Sequence, residues 1–231
     1  MAEQNVFEKI HVDERDKADL SGVLEQLNLP PAVVEYVRRN QKAIYITLGI
    51  IAIVVVTWSL YGSYAENKIS KSNSALAIAL KTDGEGKISA LQDVTKDYSG
   101  TDASLWAQVE IAQLYMSEQK IKEALALYSD VRTSVSTDNP LYPLVVFGIA
   151  QAEEALENLD AARQQYITLQ SVKGYEGVGY TGSSRTYEVQ ENYSEAVKEL
   201  EKYQGVLIGD TPNNPEKAYI NDKIARLKGL Q

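Results

Sequence analysis

Gly177-Val178-Gly179-Tyr180-Thr181-Gly182 carries the Gly-x-Gly-x-x-Gly spacing of a dinucleotide-binding loop. Such a loop follows a strand and opens a helix, so that the backbone approaches a pyrophosphate, and an acidic residue about twenty positions on takes the ribose. Here the preceding segment reads as a helix ending near Val172, and no βαβ pattern surrounds the glycines. Glu199 and Glu201 lie at a suitable distance but fall inside a second helix. No nucleotide is expected at 177–182. Each glycine costs a helix about 1 kcal/mol relative to alanine, so close packing at a helix start is the reading we adopt.

Other chemistry is sparse. The chain has no cysteine and one histidine, His11, in a charged N-terminal run. That excludes cysteine nucleophiles, disulfides and cysteine-zinc sites, and it leaves no triad candidate. Paired carboxylates such as Glu153-Glu154 lie on helical patterns, where mixed charge reads as a solvated face. No catalytic residue, cofactor or metal ligand is expected, and the chain is read as a non-enzyme. A net charge of -9 and a pI near 4.8 argue against a nucleic-acid partner.

The elements around these residues are more informative. Ala43–Gly62 runs twenty residues without a charge. At about 1.5 Å per residue this helix matches the roughly 30 Å hydrocarbon core of a bilayer. Trp58, Tyr61 and Tyr64 cluster at its far end, where aromatic rings favour the interface. Ser63-Tyr64-Ala65 loosely fits a signal-peptidase site, but the run is longer than a signal sequence's and starts late. An uncleaved anchor is expected. Arg38, Arg39 and Lys42 precede it, against Lys68 and Lys71 after it, which puts the N-terminus in the cytoplasm. The expected organisation is a cytoplasmic tail over 1–42, a transmembrane helix over 43–62 and a helical domain over 63–231. Within the tail, Leu20, Val23, Leu24 and Leu27 form one apolar helical face, suited to a bilayer surface or a partner. Pro30 and Pro31 stop that helix, after which 32–41 runs straight into the anchor.

Beyond the anchor the sequence repeats. Ile111–Val131 overlays Ile149–Leu169, with Ile111/Ile149, Ala112/Ala150, Gln113/Gln151, Ala124/Ala162 and Tyr128/Tyr166 coinciding. Ala196 continues the series and Ala90 begins it. Such a period marks stacked antiparallel helix pairs: small residues sit where a pair crosses, and Tyr115, Tyr128, Tyr166 and Tyr187 fill the space between pairs. Residues 65–82 are expected to pair with 86–98, and Pro215 begins a closing helix capped by Asn214. The fold class is therefore all-α: a transmembrane helix, then an α-solenoid of three to four helix pairs with a C-terminal cap.

These units resemble the tetratricopeptide repeat. Ala112, Tyr115, Ala124 and Tyr128 occupy its small-aromatic-small-aromatic positions, followed by Ala150, Ala162 and Tyr166, then Ser184, Tyr187 and Ala196. Glu153 and Leu200 replace aromatics, and the early Trp and late Pro are out of register. With the anchor, the Ser104–Leu125 and Val145–Ala162 stretches make the chain similar to the YfgM-like family of bacterial inner-membrane proteins, ancillary subunits of the SecYEG translocon. That resemblance implies a periplasmic domain, partners among translocon subunits and a membrane-anchored chaperone, and a role assisting exported polypeptides. Two other roles are weighed: a signalling adaptor acting through Leu20–Leu27, and an assembly factor for other envelope machinery. By repeat register, the concave face presents Trp106, Val109, Gln113 and Met116, then Phe147, Gln151 and Glu154, then Arg185 and Glu188. Val109, Phe147 and Thr181 stand where a carboxylate clamp would place lysines, so apolar segments are the expected ligands.

Overall fold

The computed structural model describes residues 30–84, 86–207 and 215–231. His11, the Leu20–Leu27 face and the Asn214 cap fall outside the described residues. Among those described there are helices and turns but no strands, and the chain divides into two compact units, Met1–Ala65 and Glu66–Gln231.

In the first unit, α1 (Pro31–Arg39) starts with proline in its first turn, where the ring's fixed φ suits a helix and its missing N–H costs nothing. Asn40 then breaks the helix with φ -112° and ψ 19°, its backbone N–H and its Nδ2 both donating to the Tyr36 carbonyl at 3.0 Å. Residues 32–41 therefore do not run straight into the anchor as expected, because the Asn amide competes locally for backbone carbonyls. Helix α2 (Gln41–Lys81) is 41 residues long. It unites the expected anchor with the expected first repeat helix, since nothing between them except an isolated Gly62 opposes helix. Its large apolar side chains from Tyr45 to Tyr61 are open, from 52% at Tyr45 to 81% at Trp58. A core helix of a soluble protein would be mostly covered, so this is a candidate membrane span. Thr47 and Thr57 donate their hydroxyls to the carbonyls of Ala43 and Ile53, at 2.9 and 2.8 Å, the back-bonding of a helical threonine to the preceding turn.

In the second unit, the end of α2 packs Ala75, Leu76 and Ala79 against Leu91 and Val94 of α3 (Gly86–Asp97). Pairs follow: α4 (Asp102–Ser117) with α5 (Ile121–Ser134), α6 (Tyr142–Ala155) with α7 (Leu159–Leu169), and α8 (Glu176–Val189) with α9 (Tyr193–Val206). Finally α10 (Pro215–Lys228) covers α9. From α3 onward each helix packs on its sequence neighbours, the one-dimensional pattern of a solenoid.

Local signals explain the pairs. Thr101 caps α4 by accepting from the Ser104 N–H, and Asn192 caps α9 by accepting from the Glu195 N–H. Within each pair the chain reverses through one left-handed residue at the same repeat position: Gln119 (φ 63°), Glu157 (φ 63°) and Glu191 (φ 57°). There the next N–H reaches back five residues, Lys120 to Tyr115, Asn158 to Glu153 and Asn192 to Tyr187, at 2.8–2.9 Å. This satisfies the helix's last carbonyls.

Between pairs, ring and glycine alternate in register. Tyr128 and Tyr166 are buried, and each faces a glycine on the next pair: a Cβ at Gly148 would sit 2.5 Å from the Tyr128 ring, and one at Gly182 would overlap the Tyr166 ring. Alanines 107, 112, 124, 150, 152, 162 and 196 are fully buried at the crossings. Burying one aliphatic side chain such as Leu141 or Val145 stabilises by about 1.5–3 kcal/mol, so the main core, running from Val109 to Leu169, holds the middle of the solenoid.

Candidate protein-binding face

The Gly-x-Gly-x-x-Gly run lies in α8, after helix α7 and not after a strand. A Cβ at Gly179 would come within 2.6 Å of the Gln170 backbone N and 2.7 Å of the Tyr166 carbonyl, and one at Gly177 would strike the Tyr203 hydroxyl. Gly177, Gly179 and Gly182 are thus taken up in close contacts between helices. Among the described residues no group of three or more His, Cys, Asp or Glu is placed to hold a metal.

The nine candidate face residues stand on the first helices of the three pairs, α4, α6 and α8, and they separate into three kinds. Val109 is fully buried in the main core, so it offers nothing to a ligand; register alone could not tell a groove position from a core one. Gln113 and Gln151 are exposed. Trp106 is 39% exposed, while Met116 and Phe147 are half-buried on the core, with the Phe147 ring tilted against Tyr166 at 6.5 Å between centroids.

The charged members are held by the structure itself. Arg185 donates from Nε to Glu154 Oε1 at 2.6 Å and from Nη2 to Oε2 at 2.7 Å, a two-pronged pair whose planar groups match. The Tyr166 hydroxyl donates to Glu154 Oε2 at 2.7 Å and accepts from Arg185 Nη2 at 2.8 Å. Burial pushes the Glu154 carboxyl upward, but hydrogen bonds from Arg185 and Tyr166 outweigh it and hold it below the ordinary value. Tyr166 is raised, first by burial and then by its bond to Glu154, and Arg185 is raised chiefly by its bond to Glu154. One repeat further on, Glu188 occupies the position of Glu154 and accepts from Lys223 at 2.7 Å and Arg226 at 3.1 Å, both on α10. Glu154 thus belongs to an inter-repeat bridge and not to the solvated face expected of Glu153-Glu154.

Sequence reasoning placed Tyr166 only as a space-filler and missed its hydroxyl. It also missed Arg163, which stacks 3.9 Å from the Tyr187 ring centre and donates to Thr186, Asp160 and Gln190. The partners on the next pair lie far off in sequence, so no local pattern announces them. What remains accessible on the face is Trp106, part of Phe147 and Met116, two amides, and the outer side of Arg185, which stays exposed while paired with Glu154. Amide side chains both donate and accept, which suits a peptide backbone better than a charged terminus.

Similar solved structures share the fold. The chain resembles the crystal structure of the nearly identical TPR-like repeats of a kinesin light chain-like protein of Podosopora anserina. The TM-score is 0.56 at 18% identity, over 70% of this chain and 87% of that one. A single-substitution form of the same protein aligns equally well. No protein-family model matches the chain, and no curated protein matches it significantly. The fold is a TPR-like solenoid.

Proposed function

We propose that this chain is a membrane-tethered scaffold that binds polypeptides in the periplasm through the first helices of its repeats, by binding and not by catalysis. One observation carries the proposal: the charged groups of the face are paired within the structure, Glu154 with Arg185 and Glu188 with Lys223 and Arg226, while Trp106, Phe147, Met116 and the register pair Gln113 and Gln151 stay at least partly accessible on α4 and α6. Apolar side chains supply the contact area, and the amides pair with the main chain of an extended or helical segment. Tethering raises the effective concentration beside a membrane partner without requiring a tight interface.

The resemblance to YfgM-like proteins, built on the anchor and the degenerate repeats, makes the translocon, an anchored chaperone and newly exported chains the first partners to test. Capture from membranes of cells producing the chain should retain such partners, and Gln113→Arg with Gln151→Arg should release them. Single cysteines at Asp102 and Asn139, reacting with an impermeant thiol reagent only from the periplasmic side, establish the compartment. Retention of all partners by the double variant would place the binding surface elsewhere. Loss of function on deleting residues 1–31, with those partners kept, would favour an adaptor acting through Leu20–Leu27. Capture of other envelope machinery alone would favour an assembly factor.

A further inference from the structure

Helix α1 ends one residue short of Asn40, and the apolar run begins at Ala43. At 100° per residue, Val33, Tyr36 and Val37 share one arc of α1, while Glu35 and Arg39 lie across from it. Tyr36 is 67% and Val33 42% exposed while Val37 is half-buried, so most of the apolar arc is open among the described residues. Asn40, at φ -112° and ψ 19°, breaks the helix between α1 and α2, with Arg39 and Lys42 on either side. Together with Asn40, Gln41 and Ala43, these two cations line one cleft of about 390 Å³. Neither cation has an ion-pair partner among the described residues.

A helix of this kind, joined directly to a span, has one surface within reach that is apolar below and anionic above. We infer that α1 lies in the membrane interface, with Val33, Tyr36 and Val37 at the headgroup–acyl boundary and Arg39 and Lys42 on the phosphates of anionic lipid. Tyr36 and Tyr45 then form the aromatic belt at this end, opposite Trp58, Tyr61 and Tyr64. The arrangement rests on α2 spanning the bilayer. Its chemistry is distinct: hydrophobic seating of one short helical face, biased toward anionic lipid by about five-fold per cation, or about thirty-fold for the two.

The absence of cysteine allows a clean test. Spin labels are placed one at a time on Val33→Cys, Glu35→Cys, Val37→Cys and Ile53→Cys in the full chain. Each is reconstituted in nanodiscs of phosphatidylcholine alone or mixed equally with phosphatidylglycerol. Power saturation then compares access to oxygen with access to a water-soluble nickel chelate. Labels at 33 and 37 should favour oxygen in anionic discs and the label at 35 should favour nickel. Arg39→Gln with Lys42→Gln should return positions 33 and 37 toward water by about the thirty-fold given above. If position 53 is in lipid but 33 and 37 stay in water, α1 does not lie in the interface, although the span stands. If position 53 is also in water, the span itself fails and the inference with it. Equal immersion in both lipids would overturn the role of the two cations.

Discussion

Gly179→Ala is the sharpest probe of how the repeats fit. The substitution removes a helix-disfavouring glycine, a gain of about 1 kcal/mol if nothing else changed. The added Cβ would instead meet the Gln170 backbone N at 2.6 Å and the Tyr166 carbonyl at 2.7 Å. Backbone cannot rotate away as a side chain does, so α8 must move off α7. Such overpacking costs typically 1–3 kcal/mol and here belongs at the upper end, for a net loss of about 2 kcal/mol. Gly205, in α9, is the matched control, since its Cβ would meet nothing within 4 Å. There alanine should stabilise by about 0.5–1 kcal/mol. The assay is thermal unfolding of the detergent-solubilised full chain followed by circular dichroism, where each kcal/mol moves Tm by about 2–4 °C for a domain of this size. Gly179→Ala should therefore lower Tm by roughly 4–8 °C and Gly205→Ala should raise it. Equal shifts in the two variants would refute the packing role of Gly179. A dinucleotide that raised the Tm of the wild type and not of Gly179→Ala would restore the nucleotide site.

Glu157→Gly should raise stability by about 1 kcal/mol, because a residue with a side chain pays that much to sit in the left-handed turn at φ 63°; chemical denaturation measures it. Ser183→Ala should stabilise by about 1 kcal/mol in the same assay, since the Ser183 hydroxyl is buried with no hydrogen-bond partner among the described residues. The Glu154 carboxyl has a lowered folded pKa, so the unfolded chain takes up the proton first. The stability it contributes is complete above the ordinary carboxylate value of 4.5 and is lost as pH falls through its folded value. Glu154→Gln should remove that part of the acid dependence of the urea midpoint, and an unchanged acid limb would show that the bridge to Arg185 contributes nothing.

The architecture was legible because its determinants are periodic. Alanine at each crossing and tyrosine between pairs repeat with the helix pair, and one uncharged run stands apart from everything else. The pairing of ring and glycine, Tyr128 with Gly148 and Tyr166 with Gly182, obeys the same register and could have been found from it. The turns at Gln119, Glu157 and Glu191 were not read as left-handed because none is glycine or asparagine, the residues that signal that conformation. The bridges from Glu154 to Arg185 and from Glu188 to Lys223 escaped for another reason. Exposed charges are plentiful, and only the superhelix decides which of them meet. The burial of Val109 followed the same logic, since its repeat position is shared with the half-open Phe147. The break at Asn40 turns on one side-chain amide, a scale below any hydrophobic period.

Photo-crosslinking in intact cells tests the central proposal most directly. A photoreactive residue at Trp106, Phe147 or Gln113 is compared with one at Ile167, an exposed position on α7. Polypeptide adducts from the first three positions, including translocon subunits, a periplasmic chaperone or exported chains, and none from position 167, are the expected result. Equal capture from all four positions, or capture from 167 alone, would contradict binding through the first helices.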